Sequence, residues 1–216
     1  MRHQITDALA SACMPLRKWK SNEPNLISEP TESCLDFHQE GDAINKTLGL
    51  SWQTHTDDLC FPISVSEQKE ATKRSMLAVI ARIFDPLGLL APCVIRMKML
   101  LQKLWLEGLK WDDPLPPEIR TAWLGMIKAL PVLQNLRIPR RVVCESYKQF
   151  ELHIFTDASE RAYGACVYIR SINIEGDVAV RLLIAKSRVT PIKPVTIPRL
   201  KLCAAVLGTR LYKNVT

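Results

Sequence analysis

The sequence predicts a mixed α and β protein, with a helical unit in its middle and three strands followed by one helix at its C-terminal end. Two patterns carry this. Between Ala71 and Leu130 the apolar residues recur at helical spacing, punctuated by proline and glycine. From Phe150 onward they fall into extended runs bounded by turn residues. Consecutive strands that end in a helix suit the opening of an α/β or α+β domain.

The first 65 residues give the weakest pattern. Residues 21–47 are polar, carry two prolines and show no period, so they read as a loop or linker. Two short apolar pieces follow, Leu48-Gly49-Leu50-Ser51-Trp52 and Leu59-Cys60-Phe61-Pro62-Ile63. The polar stretch Gln53 to Asp58 between them predicts a hairpin, with Asp57 and Asp58 in a solvated turn.

Three helices are expected over residues 66–131. Ser66 is a candidate N-cap for the first, whose stripe is Ala71, Met76, Val79, Ile80, Ile83 and Phe84. Asp85-Pro86-Leu87-Gly88 stops it, because a proline disfavours helical geometry in the residue before it. The second runs from about Pro92 to Glu107 and ends near Gly108. A proline-rich turn, Trp111 to Pro117, leads to the third, with Ile119, Trp123, Met126, Ile127 and Leu130 on one face. The helical tryptophans follow the apolar stripes and are expected in the core.

Residues 132–216 hold the strands. Phe150 to Thr156 ends at Asp157, Tyr163 to Ile172 follows, and Val178 to Val189 comes after a turn at Glu175-Gly176-Asp177. Thr196-Ile197-Pro198 then opens a helix, with the proline in the first turn where a missing N–H does no harm. Leu200, Cys203, Ala204, Leu207 and Leu211 form its apolar face.

Charge is unevenly placed along the chain. Residues 1–66 carry five Lys and Arg against nine Asp and Glu, whereas residues 67–216 carry twenty-four against thirteen. After Asp177 no acidic residue remains, while eight basic ones follow, among them Lys186, Arg188, Lys193 and Arg199. Such a run suits a polyanion, and these four residues are the candidate nucleic-acid contacts. Seven scattered cysteines, with no CxxC pair, argue against a zinc site or a disulfide framework. No secretory signal or apolar stretch long enough to span a bilayer is present, so an intracellular, cytoplasmic protein is expected.

The sharpest local signal is Thr156-Asp157-Ala158-Ser159, an acidic residue where a strand gives way to a loop. A carboxylate there can ligate Mg²⁺, since a hard cation takes oxygen ligands. Around it, HIFTDASERAYGACVYIR, LLIAKSRV and TIPRLKLCAAVLGTRL resemble the ribonuclease H domain of BEL/Pao-type retrotransposon polyproteins. Upstream, LRKWKSN, KTLGLSW, KRSMLAVIARIFDPLGLLAP and LWLEGLKWDDPLP resemble the segment joining the same family's polymerase to that domain.

That resemblance implies a remnant of the reverse transcriptase palm over 1–65, a thumb- or connection-like unit over 66–131 and the N-terminal half of a ribonuclease H-like domain over 132–216. It implies Mg²⁺ as cofactor, an RNA–DNA hybrid and the rest of the polyprotein as partners, and a virus-like particle as the parent's setting. Asp157 matches the first catalytic carboxylate. The second belongs in a motif usually ending Pro-Arg-Leu-Glu-Leu, which here reads Pro198-Arg199-Leu200-Lys201-Leu202, so Lys201 stands where a Glu is expected. The third would lie on a fourth strand beyond Thr216. Two-metal hydrolysis needs several carboxylates, so a catalytically incomplete fragment that keeps nucleic-acid contacts is the expectation. The alternatives are an active hybrid nuclease, or an aspartic peptidase. The latter needs two Asp loops sharing a proton, the second supplied by another copy of the chain.

Overall fold

The computed structural model describes residues 2–14, 21–23, 44–47, 50–63 and 70–216. It is a mixed α+β structure with two antiparallel sheets, ordered β1-β2-β3-β4 and β5-β6-β7. The N-terminal helix α1 (Arg2–Ser11) was not expected from its mostly polar residues. The hairpin is present: β2 (Leu50–Gln53) pairs with β3 (Asp58–Cys60), Trp52 opposite Leu59. Two short strands complete this sheet where none was expected. β1 (Ile44–Thr47) lies at the end of the polar stretch read as linker, and β4 (Arg137–Pro139) comes from beyond the helices.

Asp57 is not simply solvated. It sits at φ +57 in the hairpin turn, accepts a hydrogen bond from Trp52 Nε1 at 2.9 Å, and pairs with Arg140 at 2.6 Å. A short carboxylate tolerates left-handed backbone and satisfies the indole, so Asp57 ties the turn to the chain entering from β4.

Three helices form one core: α2 (Lys73–Arg82), α3 (Ala91–Leu106) and α4 (Pro117–Ala129). Met76, Met97, Leu104 and Trp123 are fully buried at its centre. A 3-10 helix, Leu130–Asn135, extends it, with Leu130 and Leu133 packed on the same cluster. The N-cap of α2 is Thr72 rather than Ser66: Thr72 Oγ1 accepts from Ser75 N, and Ser75 Oγ accepts from Thr72 N, a reciprocal capping box. Ser66 itself lies outside the described residues. Phe84, expected on the α2 stripe, is exposed, because the helix has ended at Arg82.

One further expectation, Trp105 in the core, needs correction. Trp105 is 47% exposed and Trp111 is likewise at the surface, their rings edge to face at 5.3 Å. They pack not into the core but around a buried cation. Lys73 is enclosed, with Nζ 4.0 Å from the Trp105 ring centroid and donating to the Leu109 carbonyl. A lysine in a helical first turn reads as surface; the two aromatic faces and one carbonyl compensate its desolvation here.

The second sheet is built from three twelve-residue strands, β5 (Tyr147–Ala158), β6 (Ala162–Asn173) and β7 (Val178–Val189). The helix α5 (Ile197–Val215) packs on β5 and β6 through Leu207 and Leu211, which meet Ala165 and Val167. The contact is close at Gly208, where a Cβ would stand 2.7 Å from Thr156 Cγ2 and 3.2 Å from Ile154 Cγ2. Cys203, expected on the buried face, is exposed at its flank.

The two edges of this sheet differ. Along β7 the loop after α2 closes the edge: Ala185 N donates to the Leu87 carbonyl at 2.8 Å, and Gln102 Nε2 donates to the Thr190 carbonyl. The outer edge of β5 pairs with no strand among the described residues.

Candidate functional site

Asp157 lies one residue from the end of β5, opposite Gly164 on β6, and is exposed. Thr156 and Ile154 face Gly208 of α5. Successive side chains alternate across a strand, and the pairing is regular from Gln149 to Ala158, so Asp157 issues from the opposite face. His153 and Phe155 share that face. His153 Nε2 is 3.2 Å from Glu151 Oε2, which also meets Arg170 at 3.5 Å, and Phe155 stacks edge to face on Tyr168. His153 is thus held by a carboxylate two residues away, not by Asp157.

Lys201 is exposed in the second turn of α5, on the helix side of the sheet. No ion pair within 4.0 Å joins it to Asp157, and no side-chain hydrogen bond reaches Asp157 from the described residues. Nor do three His, Cys, Asp or Glu side chains among those residues come together as a metal site. The donors described do not fit a pair of cations: Asp157 joins no cluster of three ligands, and an ammonium occupies the position where the resemblance expects the second carboxylate.

The basic residues are arranged differently. Lys186 pairs with Ala165 and Arg188 with Tyr163, and Ala165 packs under α5, so both cations lie on the helix side of β7. Across from them runs one flank of α5. At 3.6 residues per turn, Arg199, Val206 and Arg210 fall within roughly 40° of one another on that helix. Tyr163, Arg188, Val206 and Arg210 line a shared pocket of about 290 Å³. Of the basic residues here, Arg188 and Arg210 line that pocket; Lys186 shares the face of β7 with Arg188, and Arg199 shares the flank of α5 with Arg210. Lys193 stays in the exposed connection between those elements. Arg210 was missed in the sequence, because its place beside Arg188 depends on how α5 crosses the sheet; its helical register with Arg199 was the available signal.

A family model for the Pao retrotransposon-like RNaseH-like domain matches residues 72–216, from the capping residue of α2 to the end of the chain. The chain belongs to that family. The match takes in α2, α3 and α4 as well as the β5-β6-β7 sheet and α5, so the family's domain includes the helical unit that closes the β7 edge. A search of curated proteins finds no match. No helix among the described residues is long and apolar enough to cross a membrane.

Proposed function

We propose that this chain is a nucleic-acid-binding part of a retrotransposon polyprotein, and that on its own it does not cut an RNA–DNA hybrid. The observation that carries the reading is the contrast between two faces. The pocket between β7 and α5 brings Arg188 and Arg210 together, with Lys186 on the same face of β7 and Arg199 on the same flank of α5, in a stretch without a single acidic residue. Asp157, on the other face, belongs to no group of three or more His, Cys, Asp or Glu side chains among the described residues that could hold a metal.

Mg²⁺ is the cation of the parent activity. In such chemistry it activates the attacking water and stabilises the leaving oxygen, which takes a clamp of several carboxylates. The residues of this chain supply one, so its contribution is to binding. The reverse transcriptase remnant, the partner segments of the polyprotein and a particle setting belong to the same proposal and rest on the family relationship alone. An aspartic peptidase is disfavoured by Asp157-Ala158-Ser159, which lacks the glycine of the usual Asp loops.

Binding through lysines and arginines to phosphates releases condensed counterions, so affinity should fall linearly with salt on a log–log scale and be indifferent to sequence. Fluorescence anisotropy with labelled hybrids of two unrelated sequences tests this. Equal affinities that drop steeply between low and high salt support the reading. Affinity that does not respond to salt contradicts it.

A further inference from the structure

We infer that the pocket between β7 and α5 is a seat for one backbone phosphate of the bound strand, held between the Arg188 and Arg210 guanidiniums. This rests on the nucleic-acid reading above and gives it a fixed point. Three observations support it.

First, the polar groups that line the pocket are donors without partners. Arg188 and Arg210 have no ion pair or side-chain hydrogen bond among the described residues, and the Tyr163 hydroxyl has none either. Four arginines of the chain are paired with carboxylates, Arg74 with Asp112, Arg140 with Asp57, Arg141 with Glu145 and Arg170 with Glu151; the two at this pocket are not. Two guanidiniums that face one cavity with no carboxylate repel each other, and an anion between them removes that repulsion. The planar fork of each matches two phosphate oxygens.

Second, the floor of the pocket is apolar and exposed. Leu202 is 67% exposed and Val206 50% exposed, one helical turn apart on α5, beside the Tyr163 ring. An anion alone needs no such surface. A nucleotide does, since its sugar and base bring apolar area that the phosphate does not. About 290 Å³ is near the lower end of the range for small-ligand clefts, which suits one nucleotide unit rather than a long segment.

Third, the two arms are positioned by different elements. Arg188 is fixed by the β6–β7 ladder opposite Tyr163, and Arg210 by the α5 turn whose neighbours Leu207 and Leu211 are buried against the sheet. The backbone positions of the two arms are therefore set by the fold before any strand arrives, while the exposed guanidiniums close on the phosphate.

The test uses the full chain and a labelled single-stranded oligonucleotide, followed by anisotropy at low salt. Arg188→Gln and Arg210→Gln are each expected to weaken binding about tenfold, the size of losing one charged contact to a phosphate. The double variant should weaken it by less than the product of the two, because both arms hold the same group. Lys148→Gln removes the same charge from the far edge of the sheet and should change affinity less than about threefold. All three side chains are exposed, and unchanged melting temperatures verify that the variants fold. If the parent chain binds but the two arginine variants weaken it no more than Lys148→Gln, the seat is refuted while the nucleic-acid reading stands. If the two losses multiply, the arginines contact separate phosphates, and the shared seat is refuted. If the parent chain binds no single-stranded oligonucleotide, the seat is refuted, and the hybrid titration decides the broader reading separately.

Discussion

Replacing Gly88 with alanine should separate the helical unit from the β5-β6-β7 sheet. Gly88 sits at φ +72, where a Cβ costs about 1–2 kcal/mol in backbone strain. More severely, a methyl carbon there would stand 1.8 Å from the Ala185 carbonyl oxygen and 2.6 Å from its carbon. Neither is a flexible side-chain end, so the loop must withdraw from the strand. That breaks the 2.8 Å bond from Ala185 N to the Leu87 carbonyl, worth about 1 kcal/mol net. Together these give a loss of about 2–3 kcal/mol. Gly108→Ala is the matched control: its φ is +69, yet nothing lies within 4 Å of its Cβ position, so only the backbone strain applies. Urea unfolding of both variants measures the difference, and hydrogen exchange at the Ala185 amide reports the detached edge directly. A Gly88→Ala midpoint no lower than that of Gly108→Ala would refute the reasoning.

Three more outcomes follow from the same structure. Burial pushes the Asp85 carboxyl above its usual range, against backbone N–H groups of Leu90, Leu89 and Gly88 that favour its charged form. The folded chain then binds that proton more tightly than the unfolded one, so the stability from this site is full below the unfolded pKa and is lost as pH rises through the folded pKa. Asp85→Asn should flatten that decline in pH-dependent melting, and an unchanged profile would contradict it. Residues 145–216 alone should aggregate, since removal of the α2–α3 loop bares the β7 edge while the β5 edge is already open; a monomer that unfolds cooperatively would argue the opposite. Lys201→Glu should leave the response of the melting temperature to Mg²⁺ equal to the parent's, because residues 157 and 201 issue from opposite sides of the sheet. A Mg²⁺-dependent rise confined to the variant would show that the two side chains do meet.

The long elements were legible because they carry several periods of their pattern. Twelve residues of β6 alternate with Ala165, Val167, Ile169 and Ser171 buried, and α3 spans four turns with a proline near its start. Strands of three or four residues, such as Ile44–Thr47 and Arg137–Pro139, hold too few side chains to show a period. They form because partners lie across the sheet, a fact with no local signature. Lys73 and Asp57 escaped for a related reason. Each is charged and reads as solvated, but long-range neighbours decide its surroundings: Trp105 and Leu109 for the first, Arg140 for the second. Among the candidate site residues, the shared face of Lys186 and Arg188 follows from strand alternation alone. The convergence of Arg210 on Arg188 needs the crossing of α5 over the sheet.

Cleavage of an RNA–DNA hybrid by the purified full chain in Mg²⁺ is the decisive measurement. An Asp157 outside any metal-holding cluster of the described residues, with basic side chains on the opposite face, predicts a hybrid that is bound at low salt and remains intact over hours. RNA fragments that appear with Mg²⁺, and disappear in Asp157→Asn, would contradict it.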